Sequence, residues 1–90
     1  MMNQEFPQGR KDIVASKLGV ETMLYDPKTG RVHILNKTAS LIWRMADGRH
    51  QLEDMAKNIR RSFSISQTTS VKSDISNILG RFKKNGLLKE

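Results

Sequence analysis

The apolar positions change spacing partway along the chain. From Ile13 to Leu35 they fall in short runs, Ile13–Leu18, Val20–Tyr25 and Arg31–Leu35, rich in β-branched and aliphatic residues. These runs predict three strands. Gly19 lies between the first two as a bend or bulge. "DPKTG" separates the second and third, and there Asp26 can bond the backbone ahead of it, Pro27 presets φ, and Gly30 can take a positive φ. Two antiparallel strands joined by a four- or five-residue loop are the expected outcome. From Asn36 onward the spacing becomes three and four. Ala39, Ile42, Trp43 and Ala46 mark a first helix running to about Ala46, capped by Asn36 or Thr38 and ending at Asp47-Gly48, where Gly48 suits a left-handed stop.

A second helix carries Leu52, Met55, Ala56, Ile59 and Phe63 on one stripe, with acids near its start and bases near its end, as the helix dipole favours. "SFSISQTTS" reads as a polar linker. The third helix, over about Ser70 to Asn85, places Val71, Ile75, Ile78, Leu79 and Phe82 within an arc of roughly 100°. Asp74 and Arg81 border that arc on one side, and Lys72, Ser76 and Lys83 on the other. Gly86 closes the helix, and Leu87 and Leu88 return to the core. Three strands followed by three helices predict an α+β domain over residues 12–90, preceded by a flexible arm over residues 1–11. In the third strand both alternating sets, Val32/Ile34 and His33/Leu35, are compatible with a buried face.

Composition narrows the functional classes. Ninety residues make one small domain, expected to bury only about 60% of its unfolded surface, which leaves little room for an interdomain cleft. No cysteine is present, so thiolate nucleophiles, disulfides and cysteine-based zinc sites are excluded. The N-terminal run "MMNQEFPQGRKD" lacks an apolar core of signal-peptide length, and no segment reaches the roughly 20 apolar residues of a membrane span. A cytoplasmic location, without a membrane partner, is the expectation.

The net charge of +7 is spread evenly: residues 1–45 hold seven bases and four acids (+3), residues 46–90 nine and five (+4). Such a balance suits an anionic partner without specifying it. Catalysis has no constellation behind it. His33 sits in a strand with no orienting acid, His50 follows a turn, and the two are too far apart in sequence to suggest a metal site. Both are read as packing or surface residues, Trp43 as core, and no catalytic residue, metal or cofactor is assigned.

Two kinds of binding then compete. A hairpin with amphipathic helices is the inventory of a winged-helix DNA-binding protein, and the positive charge agrees. Against it, the linker between the second and third helices exceeds a helix-turn-helix turn, and Asp74 stands where phosphates would approach. The other kind is peptide capture. In a strand meander the third strand has a neighbour on one side only, so its other side shows unpaired amides and carbonyls. A peptide could add there as a fourth strand, with the third helix as the second wall of a groove. Four to six backbone bonds at about 0.5–1.5 kcal/mol give only roughly 2–9 kcal/mol before ordering costs, whereas a micromolar complex needs about 8 kcal/mol net. Side chains must supply the rest. The candidate peptide site is therefore Arg31, Val32, His33, Ile34 and Leu35, faced by Asp74, Ile78 and Arg81.

The ordered set "LYDPKTGRVHILNKTASLIWRMADG", "QLEDMA" and "DISNILGRFKKNGLL" resembles the PqqD-like proteins, small recognition elements or peptide chaperones of ribosomally made peptide natural products. The resemblance covers about residues 19–89 and rests on Asp26, Gly30, Leu35, Asn36, Thr38, Ala39, Ile42, Trp43 and Gly48, then Leu52, Asp74, Leu79, Gly86 and Leu87. It implies a winged-helix-like fold in which a precursor's leader adds beside the third strand, against the third helix. The protein then delivers the precursor to a leader peptidase, a cyclase or a radical-SAM enzyme. Nucleic acid is not the implied partner. Proteins of the quinone-cofactor pathway usually carry a plain aliphatic residue at the position of Trp43. The likeness is therefore closer to the broader set that includes stand-alone components of lasso-peptide clusters. The surplus of positive charge would suit a leader with acidic residues.

Overall fold

A computed structural model describes residues 6–63 and 70–89. Three strands, β1 (Val14–Leu18), β2 (Glu21–Asp26) and β3 (Arg31–Leu35), precede three helices, α1 (Lys37–Met45), α2 (Leu52–Phe63) and α3 (Ser70–Lys84). The strands form one antiparallel sheet in the order β1-β2-β3, an α+β arrangement. β3 has the boundaries its apolar run predicts, and the others differ by a residue. The bend expected at Gly19 is a tight hairpin: Leu18 pairs with Glu21, and Gly19 takes φ 64° in the two-residue connection. At the second turn the Gly30 amide donates to the Asp26 carbonyl at 2.8 Å, and the Lys28 amide to the Asp26 carboxylate at 2.9 Å.

The register answers which face of β3 is buried. His33 lies opposite Leu24, and Leu24 is fully buried under the helices, whereas Val32 and Ile34 lie opposite Tyr25 and Met23 on the outer face. The inner set is therefore His33/Leu35. Along the outer face Val14, Tyr25 and Val32 form one exposed cross-strand row.

Beneath the inner face, Leu24 and Leu35 meet Ala39 and Ile42 of α1, Met55 and Ile59 of α2, and Val71, Ile75 and Phe82 of α3 in one buried cluster. The third-helix arc behaves as its spacing predicts, with Val71, Ile75 and Phe82 buried and Ile78 and Leu79 half-buried at its margin. Trp43 is half-buried against that cluster, its ring edge-to-face with Phe82 at 5.5 Å and 89°. A Lys72–Glu53 ion pair links α2 and α3 at the surface. The linker expected at "SFSISQTTS" falls largely outside the described residues, as does the side chain of Phe63.

The ends differ from the expectation in two ways. First, α1 ends at the expected Ala46, whose amide donates to the Trp43 carbonyl, without Gly48 serving as its stop. Gly48, at φ 83°, instead turns its own amide to the Pro7 carbonyl at 3.0 Å. Second, residues 1–5 lie outside the described residues, but the remainder of the expected arm is docked from Pro7 onward. Gly9 donates to the Ala46 carbonyl at 2.8 Å, Arg10 to Leu87 at 2.9 Å, and Lys89 to Gln8 at 2.7 Å. The segment is a short strap between the end of α1 and the C-terminal residues. It crosses the Trp43 ring so closely that a Cβ on Gly9 would stand 2.6 Å from that ring.

Candidate functional site

β3 is an edge strand. β2 occupies one side of it, and among the described residues no strand pairs with the other. Because hydrogen-bonding directions alternate along an antiparallel strand, every second residue of β3 turns its amide and carbonyl to that free side. Both ends of the strand are fixed locally. Before it stands the Gly30–Asp26 turn bond. After it, Asn36 (φ −74°, ψ −177°) caps α1, its Oδ1 accepting from the Ala39 amide at 2.9 Å. The Ser40 hydroxyl donates to the Leu35 carbonyl, and the Ser40 amide to the Asn36 carbonyl, so the helix starts directly on the last strand residue.

Beside the free edge runs a cleft of about 510 Å³, walled by His33–Asn36 and the start of α1 on one side and by α3 on the other. Its apolar floor is made by Leu35, Ala39, Phe82 and Leu87, all buried. Ile34 stands at its lip with 55% of its surface exposed. Along the helical wall lie Asp74, Ile78 and Arg81. Asp74 and Arg81 are exposed and two helical turns apart, about 10 Å along the axis. One lip of the cleft thus offers an acid and a base with an aliphatic side chain between them. The half-buried His33 ring completes the strand wall, and its Nε2 is shielded from solvent with no hydrogen-bond partner among the described residues.

Six of the eight residues singled out from the sequence, His33, Ile34, Leu35, Asp74, Ile78 and Arg81, line this cleft. Arg31 and Val32 do not; they are exposed nearer the hairpin turn. Four other polar residues line it: Asn36, Thr38, Asn77 and Asn85. Asn77 and Asn85 continue the Asp74–Ile78–Arg81 stripe at helical spacing, so extending that stripe by three and four would have found them. Asn36 and Thr38 were legible only as caps.

The geometry suits binding more than chemistry: an extended backbone edge, an apolar floor and separated charges. Among the described residues no group of three or more His, Asp or Glu is placed to hold a metal ion. No described helix is long and apolar enough to cross a membrane.

A family model described as coenzyme PQQ synthesis protein D (PqqD) matches residues 21–88. Two solved structures are similar in fold. One, "TbiB1 in complex with the TbiA(beta) leader peptide", is 21% identical, with a TM-score of 0.80 over 91% of this chain and 94% of that one. The other, "Lasso peptide synthetase B1 complexed with the leader peptide", is 23% identical, with a TM-score of 0.77 over 94% and 99%. No curated protein matches the sequence.

Proposed function

This chain belongs to the PqqD family, and from that premise we propose that it is a non-catalytic recognition protein for the leader region of a ribosomally made precursor peptide. The leader adds as a fourth strand along β3 and lies in the cleft against α3. The bound precursor is then presented to a modifying enzyme: a leader peptidase, a cyclase or a radical-SAM enzyme.

The observation that carries this reading is the free edge of β3 opening onto a cleft whose opposite wall is α3. Backbone groups of Arg31–Leu35 pair with the peptide and set its direction, while apolar peptide side chains settle on the floor beside Ile78. Asp74 and Arg81 receive opposite charges two helical turns apart. Both similar solved structures are leader-peptide complexes, which supports the same use of the site here and favours a lasso-peptide setting. Strand addition also accounts for a run of exposed amides that a protein otherwise covers or blunts.

The test is a titration of isotope-labelled protein with the leader peptide of its cognate precursor, followed by amide chemical shifts. Shifts should concentrate in residues 31–35 and on the 74–82 face of α3. Shifts confined to Glu53, Lys57 and Arg61 on the outer face of α2 would sink the cleft model.

A further inference from the structure

The docked N-terminal strap carries one side chain whose position exceeds what a surface arginine needs. All five N–H donors of the Arg10 guanidinium are engaged. Nε donates to Asp12 at 3.0 Å, Nη1 to Asp26 at 3.0 Å and to the Gly86 carbonyl at 2.9 Å, and Nη2 to Asp26 at 3.0 Å and to Asp12 at 2.6 Å. Its backbone amide donates to the Leu87 carbonyl. Asp26 is 1% exposed, and Arg10 is the only cation that pairs with it among the described residues.

These partners belong to the two walls of the cleft. Asp26 ends β2 and pairs in register with Arg31, the first residue of β3. Gly86, at φ 72°, and Leu87 close α3: the Leu87 amide reaches the Phe82 carbonyl and the Gly86 amide that of Lys83, a Schellman cap. Leu87 and Phe82 are themselves floor residues. One planar fork thus ties the base of the strand wall to the end of the helical wall.

We propose that Arg10 is a positioning residue for peptide capture, clamping the β2–β3 hairpin to the C-terminal cap of α3 and so fixing the width of the cleft at that end. Arg10 precedes the span matched by the family model, residues 21–88. The inference rests on the reading that the cleft takes the leader, but the clamp is also measurable without peptide.

Arg10→Gln removes the charge and the fork, and Arg10→Lys keeps the charge alone. Because the chain has no cysteine, a pair placed at the exposed positions Lys28 and Lys84 can carry spin labels, whose distance reports the gap. In Arg10→Gln the distance distribution broadens, and the labelled leader binds more weakly at a temperature where circular dichroism shows full folding. If the competent width falls to a tenth of the population, the apparent Kd rises about tenfold. Arg10→Lys falls between Gln and wild type. A purely structural role would lower the melting temperature while leaving distance and Kd untouched, and that result overturns the proposal. Should Arg10→Gln fail to fold, Asp12→Asn loosens only the outer half of the clamp, and an unchanged distance and Kd there count equally against it. Absence of leader binding by the wild type would refute the leader reading, while the distance measurement still decides the clamp.

Discussion

Truncating Ile34 to alanine separates strand addition at β3 from every binding mode elsewhere on the sheet. Ile34 is 55% exposed on the outer face, at the lip of the cleft. Isoleucine to alanine removes three carbons, about 2.4 kcal/mol of transfer free energy if fully buried, at about 0.8 kcal/mol each. With 55% still exposed, about 1.3 kcal/mol remains to be gained when a ligand covers the side chain. A strand added beside β3 places its side chains about 5 Å away on the same face, covering between half and all of that remainder. The expected loss is therefore about 0.6–1.3 kcal/mol, or about three- to ninefold in Kd. Val14 supplies the control, being 54% exposed on the same face but on β1, at the opposite edge. It lies about 10 Å from β3, so Val14→Ala should leave the affinity unchanged. Fluorescence anisotropy with a labelled leader reads both. Equal losses for the two variants, or none for Ile34→Ala, would refute strand addition at this edge.

Two further outcomes follow from the groups that hold the cleft in shape. Asn36→Ala orphans the Ala39 amide at the start of α1 and should cost about 1 kcal/mol. A thermal melt should then drop by about 4–8 °C, and an unchanged melt would mean that water replaces the cap at no cost. The Arg10 hydrogen bonds hold the Asp12 and Asp26 carboxyls below their ordinary value of 3.8, burial opposing the shift. A carboxylate with a depressed folded-state pKa stabilises fully above its unfolded pKa and loses that contribution as pH falls through the folded value. Urea midpoints should therefore separate wild type from Arg10→Gln by a constant amount from neutral pH down to about pH 4. The gap should close only below that, and a gap that closed between pH 7 and 5 would point to another group.

Local chemistry made most of the frame legible. Short β-branched and aliphatic runs, the "DPKTG" turn and a helical arc need only neighbours in sequence to be read, and β3 and α3 emerged with nearly the expected limits. The buried face of β3 was not readable, because His33/Leu35 and Val32/Ile34 are equally plausible sets until β2 sets Leu24 opposite His33. The strap escaped notice for a different reason. Apart from the Arg10 guanidinium, its attachments run through backbone groups of Pro7, Gln8, Gly9 and Arg10, which leave no pattern in side-chain polarity. Only Gly9 hints at it, since any larger residue would meet the Trp43 ring. Asp26 was read as a turn residue, and it is one. Its second task, receiving Arg10, depends on a contact 16 residues away that no local rule reports.

The position of these fixtures bears on how so small a site could hold a peptide at useful strength. A five-residue edge can make only about four to six backbone bonds, worth roughly 2–9 kcal/mol gross, near the 8 kcal/mol that a micromolar complex requires. Little is left over if the protein must also order itself on binding. Here the ordering precedes the peptide. The Gly30–Asp26 bond and the Asn36 cap hold β3 extended, the Schellman cap ends α3 at Gly86, and Arg10 joins the two ends. None of these uses the backbone groups that β3 turns to its free side. If a leader adds along this edge as proposed, binding bears mainly the cost of ordering that peptide, and the apolar floor and the Asp74–Arg81 lip are left to discriminate between leaders.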